Sequence, residues 1–145
     1  MSIDNFLERG ILIRQDSSNQ EIVDLLNIVA RDIEDSSQTE ISRDWQFGIA
    51  YNAALKLANI LVRASGYRVK GQGHHMNVIA MIPLILGHHK KDDRDYIDTC
   101  RRKRNTVEYD CVGGATEEDV QELRDFVLEF QAEVLGWLKD KGFPN

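Results

Sequence analysis

Between Trp45 and Val62 the chain is apolar on nearly every side of a helix, through Trp45, Phe47, Ile49, Ala50, Tyr51, Ala53, Ala54, Leu55, Leu57, Ala58, Ile60, Leu61 and Val62. A helix with one apolar stripe can lie on a surface, but one that is apolar on several sides has to be surrounded. Ala50, Ala53, Ala54 and Ala58 let its neighbours come close. Ser37 and Glu40 have the spacing of a capping box, which predicts a start near Thr39. Gly66 predicts the stop after Ser65, with Arg63 in the last turn facing the negative end of the helix dipole.

The rest of the chain supplies helices to wrap it. Ser18 and Glu21 form another capping-box pair, and Ile22, Leu25, Leu26, Val29 and Ile33 follow at the spacing of one helix face. Asp35-Ser36-Ser37-Gln38 ends that helix. Residues 67–73 read as a loop carrying Arg68 and Lys70. A shorter helix is predicted from His74 to Leu86, kinked or trimmed by Pro83 and closed by Gly87. His88 to Lys91 read as linker, and Asp92 or Asp93 as the cap of a helix reaching about Cys111. Gly113-Gly114 breaks it. Thr116, followed by Glu117, Glu118 and Asp119, caps a last helix. Its apolar stripe is Val120, Leu123, Val127, Phe130, Val134, Trp137 and Leu138, and Lys139, Lys141 and Gly142 end it. Residues 1–16 read as peripheral, and no alternating run marks a strand. The expectation is one all-α domain over residues 1–145, an up-and-down antiparallel helical bundle of about five helices, with Trp45, Tyr51 and Trp137 in its core.

Several classes of protein are disfavoured. The longest apolar run, Val78 to Leu86, is far short of the roughly 18 residues that a membrane span needs. Met1-Ser2-Ile3-Asp4 lacks the basic-then-apolar layout of a signal peptide. Two cysteines, Cys100 and Cys111, are too few for a disulfide framework. On one helix they stand about 16 Å apart, too far to bridge, so both read as buried thiols. A reducing cytoplasm is the natural compartment. The formal charge of -6 argues against indiscriminate nucleic-acid binding, but it is unevenly distributed. Ten Lys and Arg face four Asp between residues 63 and 104, whereas eight face twenty Asp and Glu elsewhere. Such a field draws an anion to one region of an acidic molecule.

That basic region culminates in Arg101-Arg102-Lys103-Arg104-Asn105-Thr106-Val107-Glu108-Tyr109. Arg101, Arg104 and Glu108 share one face of a helix, and Asn105 and Tyr109 an adjacent one. Guanidinium forks recognise phosphate oxygens in pairs, and Asn and Tyr add neutral hydrogen bonds. The competing reading pairs Arg104 with Glu108 and leaves Arg101, Arg102 and Lys103 solvated. The four histidines come as His74-His75 and His88-His89. Neighbours on a helix point about 100° apart, so each pair offers one inward ring. With no cysteine pair and no HExxH beside them, neither a metal nor any other cofactor is expected.

The layout resembles the HEPN superfamily (higher eukaryotes and prokaryotes nucleotide-binding). The resemblance rests on the Ala-rich helix Tyr51-Asn52-Ala53-Ala54-Leu55-Lys56-Leu57-Ala58, then Ser65-Gly66-Tyr67-Arg68, Gly73-His74-His75 and the basic run Arg101 to Tyr109. It spans about residues 19–139. It implies a helical bundle whose members often pair as homodimers, with the site where two protomers meet. Many members are metal-independent ribonucleases, toxin components or partners of small nucleotidyltransferases. The family's sharpest motif is an arginine, usually with a polar follower, and a histidine four to six positions on. Arg104 matches the arginine and Asn105 the follower, but Tyr109 stands where the histidine belongs.

That departure has chemical weight. Cleavage through the 2′-hydroxyl needs a group that exchanges protons near neutrality, as histidine does. A tyrosine, near 10, is a poor base at pH 7. The expectation is therefore an RNA- or nucleotide-binding protein with a degenerate nuclease site at Arg104, Asn105 and Tyr109. Arg101, Arg102, Lys103, Glu108, His74 and His75 would contact the ligand. A homodimer and an antitoxin or nucleotidyltransferase partner are implied with it. Two alternatives stand beside this: an active ribonuclease with Tyr109 or a distant histidine compensating, and a bundle that binds a protein partner.

Overall fold

The computed structural model describes residues 2–71, 74–109 (the side chains of 107–109 excepted) and 114–143. Six α-helices lie among them: α1 (Ile3–Glu8), α2 (Asn19–Ser36), α3 (Arg43–Ala64), α4 (His74–Leu86), α5 (Lys91–Tyr109) and α6 (Glu117–Asp140). Two three-residue strands, β1 (Leu12–Arg14) and β2 (Tyr67–Val69), complete the fold, with a 3-10 turn at His88–Lys90. This is the expected all-α bundle. Helix α3 is its hub and packs against α2, α4, α5 and α6. Phe47, Ala50, Tyr51, Ala53, Ala54, Leu57, Ala58, Ile60, Leu61 and Val62 of α3 are all buried, as its all-round apolar surface requires.

The N-terminal segment is integral to the fold, not peripheral. Strands β1 and β2 pair antiparallel in the register Leu12↔Val69, Ile13↔Arg68 and Arg14↔Tyr67, so the first three residues of the stretch expected to be a loop after α3 form a strand. Phe6, Leu12 and Val69 enter the core. Arg63 ties this ribbon down. Its buried guanidinium donates to Glu21 Oε2 at 2.7 Å, to the carbonyls of Gln15 and Tyr67 at 2.8 Å each, and to that of Asp16 at 3.1 Å. One side chain thereby joins α2, α3, β2 and the connection from β1 to α2, a far more specific role than facing a helix dipole.

The helix starts show local competition. At α6 the capping box is complete: Thr116 Oγ1 accepts from Asp119 N at 3.0 Å, and Asp119 Oδ2 from Thr116 N at 2.9 Å. At α2 only half of it forms. Ser18 Oγ accepts from Glu21 N at 3.1 Å, but the Glu21 carboxylate turns to Arg63, a charged partner being worth more than an amide. Helix α3 starts later than the Ser37–Glu40 spacing predicts. Ser37 caps the end of α2, its hydroxyl donating to Glu34 O at 2.6 Å, and Ser42 caps α3 by accepting from Trp45 N at 3.1 Å. In that first turn Trp45 faces outward and is 62% exposed, contrary to its expected place in the core.

Pro83 lies buried inside α4 and does not trim it. The residues expected as linker form the 3-10 turn, and Lys90 bridges Asp93 and Glu133 of α6. Gly87 enters the turn at φ 118°, where a Cβ would come within 2.9 Å of the His89 ring, so only glycine fits. Helix α5 opens at Lys91, with Asp92 and Asp93 inside its first turn and not capping it. Cys100 is buried, and that burial pushes its thiol up to about 11, which leaves it unreactive. Cys111 and Gly113 lie outside the described residues. No helix among the described residues is long and apolar enough to cross a membrane.

Candidate anion-binding site

Three helices bring their polar groups together around Tyr51. Helix α3 supplies Tyr51 from its interior face, where the residue is fully buried although its hydroxyl needs a partner. Helix α4 supplies that partner from its first turn: His75 Nδ1 lies 3.2 Å from Tyr51 Oη. Helix α5 supplies the cations. The Arg104 guanidinium carbon lies 5.9 Å from the centre of the Tyr51 ring, within range of a cation–π contact, and Arg104 Nη1 lies 3.5 Å from Asn105 Oδ1. Arg101 is close enough to act electrostatically on both Tyr51 and His75.

The hydrogen bond between Tyr51 and His75 has a direction. Burial is the main influence on the tyrosine and raises it to about 12, against the opposing fields of Arg101 and Arg104, so the phenol keeps its proton. A buried O–H needs an acceptor, and among the described residues His75 Nδ1 is the one within reach. Tyr51 therefore donates and Nδ1 accepts, which leaves the imidazole proton on Nε2. Burial first, and then the positive charge of Arg104, the neighbouring His74 and the charge of Arg101, hold the imidazolium below its ordinary value, so His75 is neutral at pH 7. A neutral imidazole in this tautomer offers a donor at Nε2 and has no nitrogen left to take up a proton.

The basic run divides into different roles. Arg101 Nε is held 2.9 Å from Asp98 Oδ1, which also draws Arg102 Nε to 3.6 Å. Arg102 is the exposed member. Lys103 lies between helices, its Nζ 3.0 Å from Asp119 Oδ2 of α6 and 5.9 Å from the centre of the Phe47 ring, so it clamps α5 to the start of α6. Asn105 is half-buried beside Arg104. The side chains of Glu108 and Tyr109 lie outside the described residues.

His74 and His75 part company, as adjacent helical positions must. His75 turns inward to Tyr51, while His74 is exposed on a cleft of about 430 Å³ that it lines with Arg63, Arg68, Lys70, Glu21 and Asn59. The start of α4 thus separates two electropositive flanks, Arg68 and Lys70 on one side and Arg101 and Arg104 on the other. Two participants were not evident as such in the sequence. Tyr51 read only as core, because nothing local shows its hydroxyl meeting a residue 24 positions away. The Asp98 brace was readable in principle from its i, i+3 and i+4 spacing to Arg101 and Arg102.

No group of three or more His, Cys, Asp or Glu side chains converges as metal ligands among the described residues. No family model, curated protein or solved structure matches the chain.

Proposed function

We propose that this chain is a HEPN-like RNA- or nucleotide-binding protein, with the phosphate held between α4 and α5 and no effective cleavage of it. The observation that carries the reading is the meeting of Arg104, Tyr51 and His75 from three separate helices. A buried tyrosine under a guanidinium and hydrogen-bonded to a neutral imidazole costs desolvation that a simple apolar core contact would not. Arg101 and Arg104 supply charge, and His75 Nε2 and Asn105 supply neutral donors, the complement of a phosphodiester. Arg68 and Lys70, beyond the start of α4, extend the positive surface in a way that favours a chain of phosphates over a single one.

Binding without cleavage follows from the proton bookkeeping. Tyr109 occupies the motif position of the histidine, and His75, on which the Arg104 charge acts, has Nδ1 occupied by Tyr51 and a proton on Nε2. Neither is a general base at pH 7. Pairing of two copies and association with an antitoxin or nucleotidyltransferase belong to the same proposal, and rest on the HEPN resemblance. The test is titration of single-stranded RNA at rising salt. Affinity should fall steeply with salt, with log K linear in log salt concentration. Affinity indifferent to salt, or absent, contradicts the reading.

A further inference from the structure

A second, smaller polar cavity lies where the end of α2, the first turn of α3 and the start of α6 meet. Its volume is about 110 Å³, and Ser37, Thr39, Arg43, Gln46, Glu117 and Arg124 are among its lining residues. Organic ligands occupy pockets of roughly 300–1,000 Å³, so this one has room for a single small group.

Its two arginines are held from behind by buried neutral groups. Arg43 Nη1 donates to Gln46 Oε1 at 2.8 Å, and Gln46, 4% exposed, is itself fixed by its bond to Ser36 O at 3.0 Å. Arg124 Nε donates to Ser36 Oγ at 3.0 Å, and the hydroxyl of Ser36, 1% exposed, donates in turn to Ile33 O at 2.7 Å. Each arginine thus spends one nitrogen on a neutral anchor that sets its orientation. Among the described residues neither forms an ion pair, although Arg63, Arg94, Arg101 and Arg102 all do so in this acidic chain. The cavity's lining includes one carboxylate, the exposed Glu117, and it pairs with neither arginine, so two half-buried guanidinium groups repel each other unless an anion joins them. The first turn of α3, with Arg43 as its first residue, brings the positive end of a 22-residue helix, set against the negative end of α2 at Ser37.

The geometry points to this cavity as a site for one small oxyanion, a phosphate group held by Arg43 and Arg124 with the Thr39 hydroxyl beside it. It is carried by residues other than those of the α4–α5 site. Glu117, on its rim, weakens the affinity by like-charge repulsion, which makes it a useful control.

The experiment is an amide-resolved NMR titration of the full chain with inorganic phosphate and, separately, with phenyl phosphate. Wild type should show saturable shifts at the residues around Arg43 and Arg124. Arg124→Gln should weaken that binding about tenfold, the loss of one charge-assisted pair. Because Arg124 also anchors α6 to α2, Arg43→Gln, which leaves that anchor in place, should weaken it to a similar degree. Glu117→Gln should strengthen it, and Arg104→Ala should leave it unchanged. Equal affinity for both anions marks free phosphate as the ligand, and a preference for phenyl phosphate marks the terminal group of a larger molecule. The absence of saturable shifts here, unchanged binding in both arginine variants, or weaker binding in Glu117→Gln would overturn the assignment.

Discussion

The Tyr51 hydroxyl donates to His75 Nδ1 across 3.2 Å, and this one bond determines where the imidazole proton sits. Replacing Tyr51 with Phe removes the donor and keeps the packing. Nitrogen-15 NMR of wild type should show His75 protonated on Nε2, and Tyr51→Phe should shift the ring toward a mixture of tautomers. The stability loss should be about 1 kcal/mol, the net worth of a neutral hydrogen bond. A wild-type imidazole protonated on Nδ1 would reverse the direction assigned to the bond.

His75 also sets a pH dependence. Burial, the charge of Arg104, the neighbouring His74 and the charge of Arg101 lower its folded value, with Asp98 held on Arg101, so the unfolded chain binds the proton more readily. Its contribution to stability is therefore complete above the ordinary imidazole range, near 6.5, and is lost as pH falls through that value toward the lower folded one. Urea denaturation from about pH 7.5 to about pH 5 should show wild type weakening more than His75→Gln. Parallel profiles would mean that the imidazole titrates as freely in the fold as out of it.

Arg63 should be the most costly surface-type residue to lose. Its replacement by Ala strands the carbonyls of Gln15, Asp16 and Tyr67 and releases Glu21, at a cost of about 3 kcal/mol in urea denaturation. The damage should be sharpest in the ribbon, with the amides of β1 and β2 losing hydrogen-exchange protection first. A loss confined to a few tenths of a kcal/mol, as for an exposed helix-end cation, would contradict the pinning role.

Two aromatic residues separate surface from core. Trp45→Ser should alter stability by no more than about 0.5 kcal/mol, because the indole is exposed. Phe130→Ala, deep in the core under α3, should cost about 3–5 kcal/mol. Thermal or urea denaturation distinguishes the two at once.

How far the sequence anticipated these features depended on the range of the interaction involved. Helices α2 to α6 were legible because periodicity and capping are local: Ser18, Gly66, Gly87 and Thr116 stand where their chemistry required. The ribbon was not, since Leu12-Ile13-Arg14 is too short to display an alternation and its partner lies more than fifty residues away. The Ser37–Glu40 spacing pointed to a cap for α3, but α2 runs as far as Ser36, so Ser37 closes that helix and Ser42 caps α3. That shift placed Trp45 on the outer face of the first turn. On α5, the i, i+3 spacing put Arg101 and Arg104 on one face, with Asn105 on the adjacent one. The link from Tyr51 to His75, and hence the state of the proton, depends on the packing of α3 against α4.

The central claim is tested most directly by wild type and Arg104→Ala incubated with labelled single-stranded RNA in the presence of EDTA, with binding and cleavage followed on the same gels. The account predicts that wild type binds intact RNA and that Arg104→Ala, still folded, binds about tenfold or more weakly. Cleavage by wild type that Arg104→Ala abolishes would show a working base that this account denies. Equal binding by the two proteins, or none by either, would remove α5 as a phosphate-binding face.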